Sequence, residues 1–520
     1  MLERSGAAEL LGAEMPTGGR PRQLSAKTVL LGMLFAIDEG RPAHLSAGWA
    51  ALDELGVADQ VRLGGAVTDR GELRPASYRQ FADTHQVMVR SIDPTPVPSF
   101  KGLAEDDRAA HLDAMRRSVD REAAHLRLTS LLDALVEASV PERFAAMSSS
   151  VAVDWTDHET WSRPRAKNDP EPANDPTASW GHAKGTAPGE KEHLFFGYYP
   201  QVATMVVDER GPTVPELIRR IAFAAPASDP AKEMADTLVR AYGAGVPPGD
   251  VLCDCGYSNR DPATFARPLR SKGAELVMDL HPGDRGPKGT SKGATIANGN
   301  LYCPAAPRAL LELGPLCRGA SEEEAAAHDE KARELSRFEL GRIARDDACG
   351  AHRVMCPAHL GKVRCPFVPT SMTLDFSHPE VLNPPEHPPT CCTQKTITVS
   401  REVAAKTAQK HDYPSKAHRQ SFNRRTGAER SFSWMKDPAT IGMRRGWCRM
   451  FGLAKNALVY ALAAVVHNVR LALSFEDQEA EDARRSATGL GPLRRRRRRH
   501  HDEQAAPEQV ATEPAGQTPG

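Results

Sequence analysis

Two short apolar runs, each ending in an aspartate, constrain the fold of this chain more than any other feature. Residues 151–153 lead into Asp154, and residues 251–253 lead into Asp254. Short β-prone runs that alternate with helical patterns are typical of α/β domains, in which the strands lie side by side. Carboxylates at the ends of neighbouring strands converge at one edge of the sheet. The sequence therefore predicts an α/β core with an acidic pair at that edge.

The segments around these runs extend the same pattern. Residues 195–207 are rich in aromatic and β-branched side chains and indicate one or two strands, and residues 274–280 indicate another. Residues 213–243 and 262–272 have helical patterns. We expect a mixed sheet flanked by helices.

Shifts in composition divide the 520 residues into six segments. The predicted segments are a disordered N-terminus (1–23), an all-helical N-terminal domain (24–145), the first part of the core (146–282), a Cys- and Pro-rich insertion (283–400), the second part of the core (401–475) and a disordered tail (476–520) with an arginine run over 494–499. The core is thus expected to be built from two separated stretches of chain.

A third carboxylate lies in the second part of the core. Phe422, Arg425, Glu429 and Lys436 are spaced so that they share one face of an α-helix. A lone glutamate between cations suits a metal-binding carboxylate beside phosphate-binding side chains. The alternative is a solvated basic helix with an incidental glutamate.

The charge distribution points the same way. Lys plus Arg and Asp plus Glu both number 67, but residues 401–450 hold 12 Lys or Arg and only 4 Asp or Glu. A neutral chain with one basic stretch fits local contact with a polyanion. Arg444 and Arg445 fall in this stretch, and they lie either along a DNA path or on a solvated face.

The termini and cysteines indicate the compartment. The N-terminus lacks the apolar run of a signal peptide, and the longest apolar stretch, residues 457–466, is too short to span a bilayer. We therefore expect a cytoplasmic protein without membrane contact. Its ten cysteines are then expected to be reduced core thiols or metal ligands.

The three acids suggest a common role. Asp154, Asp254 and Glu429 would repel one another unless cations bind them, and hard oxygen ligands favour Mg²⁺ or Mn²⁺. Asp157 is an alternative to Asp154 if the first strand ends later. Two divalent ions held this way activate a water or a 3′-hydroxyl and stabilise the leaving oxygen of a phosphodiester.

With these motifs, residues 24–475 resemble the DDE transposases of bacterial insertion sequences, whose catalytic core has an RNase H-like fold. The spacing of Phe422, Arg425, Glu429 and Lys436 is similar to the Tyr-Arg-Glu-Lys signature of one large transposase group. The segments around Asp154 and Asp254 resemble those around its two aspartates. Phe422 stands where that group has tyrosine. Cys255 stands where a basic residue is common.

The resemblance implies roles for these residues. Asp154, Asp254 and Glu429 would bind two catalytic Mg²⁺ or Mn²⁺ ions, while Arg425 and Lys436 would contact phosphates of the transposon end. The implied activity is metal-dependent cleavage and strand transfer at the ends of an insertion sequence. The implied partners are double-stranded DNA, both element ends and target, and a second copy of the chain in the synaptic complex. The N-terminal domain would bind DNA ends or mediate dimerisation.

Two other functions remain open from the sequence. One is an RNase H-fold nuclease without strand transfer, which would share the three carboxylates. The other is a catalytically decayed transposase derivative that binds DNA through its basic surface.

The insertion raises a separate metal question. Cys349, Cys356 and Cys365, closed by Cys391 or Cys392, could supply four ligands to Zn²⁺. The segment has no Cys-x2-Cys pair, so buried free thiols are the alternative.

Overall fold

The computed structural model describes residues 1–15, 23–69, 72–97, 102–165, 173–183, 192–317, 319–343 and 351–491. The chain divides into two units, one of residues 1–472 and one that begins at residue 473. The first unit holds every residue discussed as a candidate site.

Helices dominate the N-terminal part of the first unit. They are α1 (Leu2–Ser5), α2 (Ala7–Glu14), α3 (Ala26–Asp38), α4 (Leu45–Asp53), α5 (Val57–Leu63), α6 (Tyr78–Arg90), α7 (Glu105–Ser118), α8 (Arg121–Ala138) and α9 (Glu142–Ala145), with an antiparallel hairpin of β1 (Ala66–Asp69) and β2 (Glu72–Pro75). The hairpin corrects the expectation of an all-helical segment. The expectation of a disordered N-terminus is also wrong for residues 1–15, because Leu2, Ala7 and Leu11 are buried in the main hydrophobic core.

A seven-stranded mixed sheet forms the centre of the unit. Its elements are β3 (Val151–Trp155), β4 (His158–Glu159), β5 (Ser179–Ala183), β6 (His193–Met205), β7 (Ile218–Ala224), β8 (Asp250–Cys253) and β9 (Glu275–Met278), with helices α10 (Pro230–Gly243), α11 (Cys255–Ser258) and α12 (Ala266–Ser271). Strand β6 pairs antiparallel with both β7 and β3, and β3, β8 and β9 run parallel. The mixed sheet flanked by helices confirms the predicted α/β class.

Side-chain alternation along β3 and β8 assigns the two faces of the sheet. Ala152 and Leu252 belong to the main core. Val151, Val153 and Val251 belong to a second core formed with α10 and α12. Since successive side chains of a strand point to opposite faces, the positions two residues after Ala152 and Leu252 lie on the main-core side.

The N-terminal helices share the main core with the sheet. Leu128 and Leu135 of α8 pack in the same cluster as Val202 of β6. Arg219 of β7 donates to Oε1 of Glu137 in α8 at 3.0 Å, which adds a polar contact across the same interface. The helices before residue 145 therefore cover one face of the sheet.

The Cys- and Pro-rich insertion has its own secondary structure. It contains β10 (Pro287–Ser291), β11 (Ala294–Ala297), β12 (Asn300–Tyr302), α13 (Arg308–Leu311), α14 (Glu322–Arg337), β13 (Gly341–Arg342), β14 (His352–Met355), α15 (Thr390–Thr393) and β15 (Thr396–Val399). The strands form two three-stranded antiparallel sheets, β10–β11–β12 and β13–β14–β15. Two hydrophobic clusters lie within this segment and are separate from the main core.

Three helices complete the described chain: α16 (Lys416–Phe422), α17 (Thr426–Lys436) and α18 (Leu453–Ala487). A 3-10 turn at Asn423–Arg425 joins α16 to α17. The expectation that residues 422–436 form one α-helix is therefore corrected, because Phe422 and Glu429 lie on different helices. The backbone is right-handed helical at each junction residue, so the winding tightens without reversing the chain.

Helix α18 continues across the boundary between the two units. The expectation of disorder from residue 476 is wrong as far as Ala487, where the helix ends, and the arginine run lies outside the described residues. By length and composition alone, α18 is long and apolar enough to cross a membrane, whereas the apolar stretch over residues 457–466 was too short. However, 72% of its most apolar window is buried inside the protein, as in the central helix of a soluble core.

Candidate active site

Asp154 and Asp254 follow the same register on two neighbouring parallel strands. Val151 pairs with Val251 and Ala152 with Leu252, so each aspartate comes two residues after a paired position. Asp154 lies in β3, and Asp254 directly follows β8 and caps α11, where its Oδ1 accepts from the Gly256 N–H at 2.9 Å. The two carboxylates therefore lie at the same edge of the sheet, as expected from parallel strands.

The environment of Asp154 opposes a negative charge. Burial and the nearby Asp254 carboxylate raise the pKa of Asp154 to about 7, although Arg425 and the Trp155 N–H act in the opposite direction. The Trp155 N–H donates to Oδ1 of Asp154 at 2.9 Å. A buried carboxylate beside a second one needs a cation to remain ionised.

Arg425 supplies that cation in this structure. Its Nη1 donates to Oδ2 of Asp154 at 3.2 Å, and its Nη2 donates to Oε1 of Glu429 one turn along α17. The Arg425 side chain is 15% exposed, whereas that of Glu429 is 49% exposed. One guanidinium thus links an aspartate of the sheet to the glutamate of the helix packed on it.

Phe422 lies beneath the same arginine. The Arg425 guanidinium carbon lies 5.5 Å from the centroid of the Phe422 ring, and the His418 ring stacks on the same ring at 5.7 Å. The ring of Phe422 therefore supports the guanidinium by a cation–π contact, which needs an aromatic face and no hydroxyl group.

Lys436 contacts a different carboxylate. Its Nζ lies 3.1 Å from Oδ1 of Asp157, the alternative first acid. Burial acts to raise the pKa of Asp157, but the charge of Lys436 and its hydrogen bond outweigh it, so that pKa is lowered. Asp154 therefore lies near the carboxylate of Asp254, whereas Asp157 lies near the ammonium group of Lys436.

Two arginines, Arg445 and Arg449, lie beside the exposed ring of Trp161, a residue that the sequence did not single out. Arg445 lies 3.3 Å from Glu159 and 5.8 Å from the ring of Trp161. Arg449 lies 4.6 Å from the same ring, which belongs to a 42% exposed residue. Arg444 is exposed. We call Trp161, Arg445 and Arg449 the Trp161 cluster.

A second ionic network beside the site was also missed. Arg424 donates to Oδ2 of Asp250 at 2.7 Å, and Lys410 donates to Oδ1 of the same carboxylate at 2.8 Å. Glu209 accepts from Ser421 at 2.6 Å and lies 3.3 Å from Lys410. Asp250 and Glu209 have no motif around them, and only the folded chain brings them to residue 424. The network fixes the residue that directly precedes Arg425.

The donor chemistry of the three acids fits hard divalent cations, because all three offer carboxylate oxygens. Their positions do not form a ready ion cage. Across the described ranges, no group of three or more His, Cys, Asp or Glu side chains is arranged to hold a metal ion. Arg425 contacts two of the three acids instead.

The zinc ligands expected in the insertion are not gathered as expected. Cys356 and Cys365 share one buried cluster, but Cys391 belongs to another, and Cys349 lies outside the described residues. The nine cysteines that the structure describes are all free thiols.

Similarity to known proteins covers the helical end of this site. Residues 389–472 match the sequence model of a family described as a transposase DDE domain. The matched range includes Arg425, Glu429 and Lys436, and both aspartates precede it. No curated protein matches the chain significantly.

Proposed function

We propose that this chain is a DDE transposase that cleaves DNA at the ends of a mobile element and joins them to target DNA, and the match of residues 389–472 to a transposase DDE domain supports the proposal. The observation that carries the proposal is the convergence of two strand-end aspartates with Glu429 through Arg425. The strand order β7–β6–β3–β8–β9, antiparallel on one side of β3 and parallel on the other, supports an RNase H-like core.

In this proposal Asp154, Asp254 and Glu429 would hold two Mg²⁺ or Mn²⁺ ions. When bound, such ions activate the attacking water or 3′-hydroxyl and stabilise the leaving oxygen. The chain itself orients the acids: the β3–β8 register sets the two aspartates, and α17 carries the glutamate onto the same face.

Arg425 and Lys436 would then change partners. Each is held by carboxylates here, Arg425 by Asp154 and Glu429 and Lys436 by Asp157. Divalent cations at the acids would remove the need for the Arg425 charge and leave its guanidinium to contact a phosphate. Phe422 would keep the guanidinium plane oriented through this change.

The DNA partner would be double-stranded, comprising element ends and target. The basic stretch over residues 401–450, including Arg444 and Arg445, would follow its backbone. Pairing of two ends implies a homodimer in the synaptic complex, acting in the cytoplasm on nucleoid DNA.

The test uses the full-length protein with Mg²⁺ and DNA that carries the sequences flanking its own gene. Nicking at the element boundary and joining to a plasmid are measured for the wild type and for Asp154→Asn, Asp254→Asn and Glu429→Gln. Each substitution should lower the rate at least about 10³-fold, which is roughly 4 kcal/mol of transition-state stabilisation. Asp157→Asn is the matched control and should retain most of the activity.

One specific observation favours a second candidate, a decayed derivative that binds DNA without cutting it. Arg425 bridges two of the acids, and the described residues hold no ready metal group. Tight DNA binding without Mg²⁺-dependent cleavage would support this candidate. Cleavage without joining would instead indicate an RNase H-fold nuclease.

A further inference from the structure

Four cysteines of the insertion come together from distant parts of the chain. Cys303 directly follows β12, Cys356 directly follows β14, and these two share a buried cluster with Cys365. The fourth, Cys392, is half-buried in α15. The Cys303 thiol lies within electrostatic range of Cys356, Cys365 and Cys392, and the latter three interact in the same way.

Three of these cysteines share one local structure. Each is followed by proline, and each sulfur accepts hydrogen bonds from backbone N–H groups two or three residues later. The donors are Ala305 for Cys303, Ala358 and His359 for Cys356, and Phe367 and Val368 for Cys365. Burial raises the pKa of each of these three thiols, and the N–H groups offset only part of that effect. The proposal therefore depends on the shared position of the cysteines in one buried cluster.

We propose that Cys303, Cys356, Cys365 and Cys392 form a structural zinc site. Four thiolates are a preferred closed ligand set for tetrahedral Zn²⁺. Binding would transfer the four thiol protons to solvent as four Zn–S bonds form, with no change in oxidation state. This ligand set keeps Cys356 and Cys365, takes Cys392 from the two alternatives for the fourth ligand, and replaces Cys349 with Cys303.

Cys391 and Cys392 are adjacent in sequence but differ in their surroundings. Their sulfurs are 4.0 Å apart. Cys391 is buried in the cluster of Val354, Ile397 and Val399, whereas Cys392 is half-buried and packs against that cluster. The three cysteines that precede a proline, Cys303, Cys356 and Cys365, lie within electrostatic range of Cys392. In the described part of the chain no three such side chains are placed to hold a metal ion, so ligation requires the four sulfurs to move closer together.

A zinc ion here would add a cross-link between segments that already share backbone hydrogen bonds, such as that from the Leu340 N–H to the Leu301 carbonyl at 2.9 Å. Cys303 adjoins the sheet of β10–β12 and Cys356 adjoins the sheet of β13–β15, so the ion would cross-link the two. The insertion also contacts the catalytic helices, because Arg419 of α16 donates to Asp329 of α14 at 2.7 Å. The ion would hold the insertion against the segment that leads to Glu429. This inference is independent of the proposed DNA chemistry.

The first measurement is the metal content of the full-length protein, purified under reducing conditions without added chelator. Elemental analysis should find about one zinc per chain. Replacement by Co²⁺ should give the intense sulfur-to-cobalt charge-transfer and visible bands of a tetrahedral thiolate site. The same spectrum in Asp154→Asn would separate this site from oxygen ligands at the catalytic acids.

Substitutions identify the ligands. Cys303→Ser, Cys356→Ser, Cys365→Ser and Cys392→Ser should each lower the zinc content at least about twofold and weaken the cobalt bands, since one of four ligands is lost. Cys391→Ser is the matched control, one residue from a proposed ligand, and Cys349→Ser is the second control. Both should keep the zinc.

Two results would overturn the inference. The first is wild-type protein that contains no zinc and takes up neither zinc nor cobalt as a thiolate complex after reconstitution. The second is loss of zinc in Cys391→Ser or Cys349→Ser with retention in Cys392→Ser or Cys303→Ser. If a variant does not fold, cysteine alkylation of the wild-type protein tests the same ligands. Bound zinc should protect the four proposed cysteines from the alkylating reagent, and removal of zinc by a chelator should make them reactive.

Discussion

Arg425 donates to Asp154 across 3.2 Å although 271 residues separate them in sequence. The same guanidinium contacts Glu429, so a single positive charge serves one carboxylate of the sheet and one of helix α17. Removing one partner of a buried ion pair leaves an uncompensated charge, and that cost commonly reaches a few kcal/mol. The position of Arg425 is therefore expected to couple stability to divalent cations.

Replacing Arg425 tests this coupling. We expect Arg425→Gln to destabilise the chelated protein by about 2–4 kcal/mol, because Asp154 and Asp254 then lack a cation. Mg²⁺ should recover more stability in this variant than in the wild type. Urea unfolding with chelator and with Mg²⁺ measures both effects.

Arg430→Gln is the control for that experiment. Arg430 follows Glu429 on the same helix but pairs with Glu216 rather than with either aspartate. Its loss should cost about 1 kcal/mol or less and leave the Mg²⁺ response unchanged, because the pair is half-exposed. An equal Mg²⁺ response in both variants would mean that Arg425 does not compete with cations.

The two neighbouring aspartates should respond in opposite ways to amidation. Burial and Asp254 raise the pKa of Asp154 to about 7 despite Arg425, so the ionised carboxylate is disfavoured on balance, and we expect Asp154→Asn to stabilise the chelated protein by roughly 1–2 kcal/mol. Asp157→Asn breaks the pair with Lys436 and should lower stability by roughly 0.5–1 kcal/mol. Thermal unfolding of both variants in the presence of chelator shows whether each substitution raises or lowers the stability. A destabilised Asp154→Asn would show that the contact with Arg425 outweighs the repulsion.

The network around Glu209 predicts a defined pH dependence. Burial acts to raise the pKa of Glu209, but hydrogen bonds from Ser421, His411 and Lys410 outweigh it and lower that pKa to about 2. A lowered carboxylate pKa contributes stability that is present above the unfolded value of 4.5 and is lost as the pH falls towards 2. Since the side chain is about one-third exposed, solvent screening reduces the contribution to roughly 1–2 kcal/mol.

Glu209→Gln should therefore destabilise the protein by roughly 1–2 kcal/mol at pH 7. The difference in unfolding free energy between this variant and the wild type should shrink as the pH falls below 4.5. Urea unfolding at pH 7 and near pH 3 measures the two differences. Glu216→Gln, which removes a carboxylate outside this network, serves as the control. A difference for Glu209→Gln that is the same at both pH values would contradict the proposed linkage.

The lysine that pairs with Asp157 gives a prediction for DNA binding. If Lys436 contacts a phosphate, Lys436→Ala should weaken binding and reduce the slope of log affinity against log salt by about 1. Asp157→Asn should strengthen binding at low salt, because it releases Lys436 from its internal partner. Fluorescence anisotropy over a salt series measures both variants. An unchanged slope in Lys436→Ala would remove Lys436 from the DNA interface.

Local patterns in the sequence were sufficient for the α/β class and for the strand that ends at each aspartate. Alternation and β-branching depend on neighbouring residues alone, so β3, β8 and β9 could be anticipated. The spacing around Glu429 was also a local signal, although it could not reveal the 3-10 turn between Phe422 and Glu429. Residues 1–15 were misjudged because a small, polar composition hides three apolar side chains that become buried only against the rest of the chain.

The sequence by itself determined which residue types could bind cations and phosphates and in what order they occur. Only the tertiary structure decided their partners, because each pairing joins distant segments whose relative positions depend on the packing of the whole core. It placed Arg425 on Asp154, Lys436 on Asp157 and Arg424 on Asp250. It also selected Cys303 and Cys392 as the neighbours of Cys356 and Cys365, since spacing along the chain carries no information about which turns meet in a folded insertion.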